Sequence, residues 1–383
     1  MSILPSVPKD SSTNSSQSNN SRDRRFWTFL SIAGILALFA TPYPNAARWV
    51  GFTFAAYAAV SNDSIQTIGT FLASNRHRPW WMLWLFIGGI FLATVGYSWM
   101  TTDVVGAIEM VDGVEQAIPD GIPDGDVSNG RLASKGFSET PMSFKVVQVI
   151  APLILLALTR LKMPVSTTFL LLTAFSTKGT AVVKVMEKSL TGYLLAFVIA
   201  LLVWVSLSRL FKKLFVGKAS PVWSIFQWCT TGFLWSVWIM QDAANIAVFL
   251  PRSLSPLEFC AFAGTVFFGL GWMFYRGGER IQEVVEEKSE IFDVRAATVI
   301  DFIYALILYY FKLKSNIPMS TTWVFLGLLA GRELGMSLSS TGTRDIWGAI
   351  RLMLKDATMA LIGLAISLGL AYMANPSLFM LMM

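Results

Sequence analysis

The sequence predicts an all-α, polytopic membrane fold of about 11 transmembrane helices, built as an inverted repeat with two broken helices. Three observations predict it. Hydrophobic residues make up 54% of the 383, and only 14% are charged, against roughly 25% in an ordinary soluble domain. Apolar stretches follow one another with short polar joints, and at about 20 residues per helical span they use up most of the chain. A pair of motifs occurs once in each half. The composition excludes a soluble globular enzyme and equally a disordered or fibrous chain.

Residues 1–25 read as a disordered polar tail, because the Ser- and Asn-rich run up to Ser21 buries nothing. Arg22, Arg24 and Arg25 then precede an uncharged run, and residues 26–48 read as an extra N-terminal transmembrane helix with its basic flank inside. That run is long for the apolar core of a cleaved signal peptide. The first inverted repeat is placed at 49–208, with apolar segments at 49–74, 80–102, 144–159, 163–186 and 189–208. A basic cytoplasmic linker, 209–218, joins it to the second repeat at 219–383. That repeat has segments at 219–250, 257–275, 296–311, 317–335 and 347–374.

The polar joints set the orientation. The stretch 103–142 carries eight acidic residues against Arg131 and Lys135, and reads as an acidic outside loop. The linker carries Arg209, Lys212, Lys213 and Lys218 and reads as inside. Both placements hold only if 163–186 crosses the membrane fully, as a broken span. The net charge of +6 fits Lys and Arg kept on the cytoplasmic side, so no nucleic-acid partner is expected. Trp80, Trp81 and Trp84 read as an interfacial belt, and the charged stretch 276–295 as a solvated cytoplasmic helix. Cys229 and Cys260 lie in apolar runs and read as small buried hydrophobes. His77 stands alone in a polar loop, which argues against a histidine metal site.

The duplicated motifs carry the chemistry. Ser61-Asn62-Asp63-Ser64-Ile65-Gln66 is followed 101 residues after Asp63 by Pro164-Val165-Ser166-Thr167-Thr168. Gln241-Asp242-Ala243-Ala244-Asn245 is followed 76 residues after Asp242 by Pro318-Met319-Ser320-Thr321-Thr322. Crossing parity starts the Asp63 span outside and the Asp242 span inside, so the halves are antiparallel. This is the architecture of secondary transporters, whose broken helices meet near the bilayer midplane. An Asp in the hydrocarbon region costs about 2.5 to 3.5 kcal/mol. A bound cation or a transported proton would supply the missing charge at Asp63 and Asp242. Asn62, Gln66, Gln241 and Asn245 offer neutral oxygens to a hard cation such as Na⁺, or N–H donors to an anion. Proline suits the first position of a new helix. Ser166, Thr167, Thr168 and Ser320, Thr321, Thr322 then occupy helix starts, where backbone N–H groups and hydroxyls suit an anion. Asp301 reads either as a third member of the ion site or as a carboxylate near a helix end.

At these residues the sequence resembles the inorganic phosphate transporter (PiT) family, over about residues 49–374. That family carries a Gly-Ala-Asn-Asp-Val-Ala-Asn-type motif and a Pro-x-Ser-Thr-Thr-type motif in each half. Here the leading glycine is absent from both halves, and Gln66 and Gln241 stand where the family has Asn. A Glu usual after the first motif is missing from 85–90, and no His follows either Ser-Thr-Thr. The resemblance implies cation-coupled (Na⁺ or H⁺) symport of an inorganic oxyanion, phosphate first. Ser166, Thr167, Thr168, Ser320, Thr321, Thr322, Gln66 and Gln241 are then the substrate-binding residues. Asn62, Asp63, Asp242, Asn245 and Asp301 couple the cation, and Asp63 and Asp242 hold Na⁺ if sodium is the partner. Sulfate or another oxyanion is the alternative cargo, and a transport-inactive membrane sensor or regulatory protein the alternative role. No enzyme activity and no cofactor beyond the co-transported ion are expected. The protein is placed in the cell membrane as a multi-pass chain with a cytoplasmic N-terminus. Its expected partners are the bilayer, the oxyanion, the coupling cation and, as an open alternative, a second copy in a homodimer.

Overall fold

The computed structural model describes residues 11–101, 107–111, 114–118, 125–134, 137, 139–161, 163–176, 179–214, 217–276, 294–314, 320–340 and 344–376. The sequence-predicted helix within 276–295, and Pro318 of the second break, lie largely or wholly outside these residues. Helix α1 (Ser11–Ala40) is followed by α2 (Pro44–Ala59), a π-helical turn (Val60–Ser64) and α3 (Ile65–Ser74). Then come α4 (Trp80–Thr101), a hairpin of β1 (Ala107–Val111) and β2 (Val114–Ile118), and α5 (Arg131–Ser134). The first half ends with α6 (Val146–Arg160), a second π-helical turn (Thr168–Leu172), α7 (Thr173–Phe175) and α8 (Gly179–Leu214). The second half holds α9 (Pro221–Ala247), α10 (Pro256–Tyr275), α11 (Val294–Lys314), α12 (Thr321–Leu338) and α13 (Ile346–Ala374).

Among the described residues the fold is all-α apart from the hairpin, which lies in the acidic loop. The helix at 80–101 and the stretches 185–208, 256–275 and 346–374 are each long and apolar enough to cross a membrane. Three sequence expectations change. Helix α1 starts at Ser11 and so runs through most of the stretch read as a disordered tail. The joint between the segments 163–186 and 189–208 does not exist, because α8 continues from Gly179 to Leu214 and no proline interrupts it. The break expected at Pro164 is present, as the extended stretch 163–166 after α6. Cys229 and Cys260 are exposed on the outer faces of α9 and α10, not buried; those faces are apolar because they meet lipid, so an apolar run did not reveal its inner side.

Close packing sets the frame. On α12, Gly327, Gly331 and Gly335 recur every four residues and form one face. A Cβ at Gly327 or Gly331 would collide with the carbonyl oxygens of Tyr193 and Phe197 on α8. The order of these contacts shows that α8 and α12 run parallel. Helix α3 runs antiparallel to α9. Thr70 and Thr231 meet the same carboxylate of Asp301, and Asn75 reaches back to Gln227. The two Asp-bearing segments therefore cross in opposite directions, as the parity of the polar joints predicts.

Candidate functional site

The site begins where the first Asp-bearing helix is broken. Between α2 and α3 the chain widens into the π-helical turn at Val60–Ser64, which holds Asn62 and Asp63; such turns often mark functional positions. At the matching place in the second half, α9 runs unbroken through Asp242 and Asn245. The starts of the two broken helices are built alike. Ser166 Oγ accepts from Phe169 N at 3.3 Å, and Ser320 Oγ accepts from Trp323 N at 3.2 Å. Each serine caps the first turn and leaves the next threonine to face the partner helix.

Those threonines find the carboxylates. Thr167 donates to Asp63 Oδ2, and Thr321 donates to Asp242 Oδ2 at 2.6 Å. Asn62 Nδ2 donates to Asp63 Oδ1 at 2.6 Å and to the Val165 carbonyl at 2.8 Å, tying the π turn to the extended stretch. Asn245 Nδ2 lies within 2.8 Å of Asp242 Oδ1, 3.0 Å of Thr167 Oγ1 and 3.1 Å of Thr168 Oγ1. One line of polar contacts thus runs Asp63–Thr167–Asn245–Asp242–Thr321 across both halves. The charges of Asp63 and Asp242 lie close enough to act on each other.

All of Asn62, Asp63, Ser166, Thr167, Thr168, Asp242, Asn245, Ser320, Thr321 and Thr322 are buried. Ser166 and Ser320 therefore do not face lipid. Asn245 is fully buried, and its Oδ1 accepts no hydrogen bond from the described residues. An orphaned acceptor of this kind costs about 1–3 kcal/mol, and a hard cation is the group that would use it. Gln241 is turned elsewhere, donating to the Leu308 carbonyl at 2.8 Å. Gln66 lies in the first turn of α3, and its side chain is outside the described residues. Beside Asp242 a cavity of about 20 Å³ is lined by Ala59, Val60, Phe91, Trp238 and Val266, room for one water.

Asp301 sits apart from this line, on α11 between α3 and α9. Its two oxygens each accept a hydroxyl hydrogen bond at 2.5 Å, from Thr70 and Thr231. It is buried mid-helix on α11, so the helix-end reading fails. Tyr304, one turn along α11, donates to the Thr321 carbonyl at 3.0 Å and meets Thr67. Beyond Asp301, Asn75 donates to Gln227 Oε1 at 2.8 Å, and Arg78 Nε donates to Asn75 Oδ1 at 3.1 Å. Polar side chains thus continue from the carboxylate pair through Thr67, Tyr304 and Asp301 to Arg78, in the joint after α3. Sequence reasoning missed Thr67, Thr70, Thr231 and Tyr304. Their only signal is hydroxyl spacing on apolar helices, which lipid-facing hydroxyls share.

No protein-family model and no curated protein matches this sequence. Among solved structures, the chain is similar to one described as "The sodium-dependent phosphate transporter". The two share 17% identity at a TM-score of 0.51, over 93% of this chain and 99% of that one. At that identity the likeness is one of fold, and it agrees with the phosphate-transporter resemblance carried by the duplicated motifs. The chain is a polytopic membrane protein, and over nearly its whole length it has the fold of a sodium-dependent phosphate transporter.

Proposed function

We propose that the protein is a secondary active transporter that imports an inorganic oxyanion, phosphate first, together with Na⁺ or H⁺. The observation that carries this reading is the polar line Asp63–Thr167–Asn245–Asp242–Thr321 with the unpartnered Asn245 Oδ1 at its middle. It offers carboxylates and a neutral oxygen to a cation. The N–H groups of Thr321 and Thr322 are first-turn donors that a helix leaves without intrahelical partners, and they suit an anion beside it. Asp63 and Asp242 take the coupling cation, which offsets their mutual repulsion, and Asp301 takes it next on the way to the cytoplasm.

Energetics demand coupling. Importing a dianion against an inside-negative potential costs about 2 × 2.3 kcal/mol per 100 mV. A thousandfold gradient adds about 4.1 kcal/mol, so the total approaches roughly 9 kcal/mol. At least two cations must accompany each dianion, and two carboxylates provide for them.

Uptake of phosphate into proteoliposomes tests the reading, with sulfate and arsenate as competitors and with Na⁺ and pH gradients imposed separately. Saturable, concentrative uptake that collapses without the driving gradient is expected. Gln241 favours a second reading, a sensor that binds but does not transport, because its amide is committed to the Leu308 carbonyl. Oxyanion binding with no concentrative uptake under either gradient would establish that role instead.

A further inference from the structure

Residues 125–134 and 137, which the sequence marks only as acidic loop, are held against the end of α4 and the joint between α9 and α10. They are pinned at several points. Gly125 takes φ +71, and a Cβ there would lie 2.6 Å from the Leu254 carbonyl oxygen, so only glycine fits. Leu254 N donates to the Gly125 carbonyl at 3.0 Å, and Ser98 Oγ donates to the Asp126 carbonyl at 2.7 Å. The Asp126 carboxylate accepts from Ser128 N at 2.8 Å and Gly130 N at 2.6 Å, closing a tight turn. Arg252 Nε donates to the Phe137 carbonyl at 2.6 Å while Nη1 donates to the carbonyls of Ala247, the last residue of α9, and Leu250 just beyond it. Burial lowers the Arg252 pKa to about 10; Asp126 opposes that shift and Arg48 adds to it.

This turn delivers Arg131 inward. Arg131 opens α5, which packs against α9, the helix that carries Asp242 and Asn245. Only 5% of Arg131 is exposed, and the next residue, Leu132, belongs to the hydrophobic core. Burial pushes the Arg131 pKa down, and Asp242 pushes it back up. A buried guanidinium is costly unless opposite charge meets it, and the carboxylate of Asp242 is one such charge. The rest of the anion-facing surface is hydroxyls and helix starts, which carry no formal charge. An oxyanion entering beside two carboxylates needs a cation that stays in place.

We propose that Arg131 is the anion-specificity residue of the paired site, its guanidinium lowered from the outer side to hold the oxyanion's oxygens and favour oxyanion over excess cation. The planar guanidinium presents two parallel donors to two oxygens of one tetrahedral anion, which an ammonium does not. The inference rests on the transport reading above and names the group that selects its substrate.

Equilibrium binding of radiolabelled inorganic phosphate to the purified, detergent-solubilised protein tests it, with Na⁺ titrated, alongside uptake KM and maximal rate in proteoliposomes. Arg131→Gln should raise the phosphate KM and dissociation constant at least tenfold, with the maximal rate within threefold. In the same variant, half-saturation by Na⁺ should fall, because a repelling charge has gone. Arg131→Lys keeps the charge but loses the paired donors, so it should recover only part of the phosphate affinity. Opposite changes for anion and cation are the signature that a merely structural arginine would not produce. An unchanged phosphate constant in Arg131→Gln, or loss of maximal rate alone in both variants, would overturn the proposal and leave the transport reading standing. A wild-type protein that neither binds nor takes up phosphate, sulfate or arsenate would overturn both.

Discussion

Asn245 joins the halves at the level of single residues. Its amide nitrogen faces a carboxylate of its own helix and two hydroxyls of the opposite repeat, while its oxygen is left over. Asn245→Ala removes hydrogen bonds to a charged group, worth about 1.5–3 kcal/mol. Half-saturation by the coupling cation should rise by about tenfold to a hundredfold, read as uptake against cation concentration. Asp63→Asn and Asp242→Asn keep the shape and the acceptor but remove the charge. Uptake should fall to background in both while circular dichroism shows an unchanged helical fold. Concentrative uptake by both variants would remove the carboxylates from the coupling role. Thr321→Val deletes one donor to Asp242 and should weaken transport by about tenfold, the size of one charge-assisted hydrogen bond.

Among the elements, α8 and α12 depend on the glycine face. A side chain at Gly331 meets backbone, which cannot move aside as a side-chain tip can. Gly331→Leu should cost more than the roughly 1–3 kcal/mol of ordinary overpacking, seen as loss of the monodisperse peak on size exclusion and a lowered Tm. Gly264 on α10 has nothing within 4 Å of a built Cβ. Gly264→Ala should leave Tm unchanged or raise it, since Ala is the better helix former by about 1 kcal/mol. Of the two broken helices, the first was placed from Pro164 and the parity of charged loops. The π-helical turn around Asp63 was not legible, because Val60–Ser64 contains neither Gly nor Pro. Its cause is tertiary: Asn62 is held by the Val165 carbonyl of another element. The unbroken α8 was misread for a related reason. Lys184, Glu187 and Lys188 interrupt the apolar run without weakening helix propensity.

For the whole molecule, inversion has a direct test. In a Cys229→Ala, Cys260→Ala background, His77→Cys should react with an impermeant maleimide only from the cytoplasmic side, and Ser253→Cys only from the outside. His77 lies in the joint after α3 and Ser253 in the joint after α9, and both are exposed. Labelling of both from the same side would dismantle the antiparallel arrangement. The same arrangement explains why two motifs so far apart in sequence form one site. Antiparallel halves bring the α2–α3 unit and α9 past each other in opposite directions, so the start of each broken helix meets the Asp of its own half, and Asn245 bridges to the other.

By itself the sequence determined the membrane class, the inversion and the identity of the two carboxylates with their Ser-Thr-Thr partners. These follow from composition, from Lys and Arg placement and from motif repetition, all one-dimensional properties of a chain in a bilayer. Only the tertiary structure decided that Gln241 turns to α11, that Asp301 holds a separate hydroxyl-lined position, and that a segment of the acidic loop lowers Arg131 onto α9. In an apolar solvent every helix face is hydrophobic, so the direction a polar side chain takes depends on which neighbour lies there, and that neighbour is set by packing.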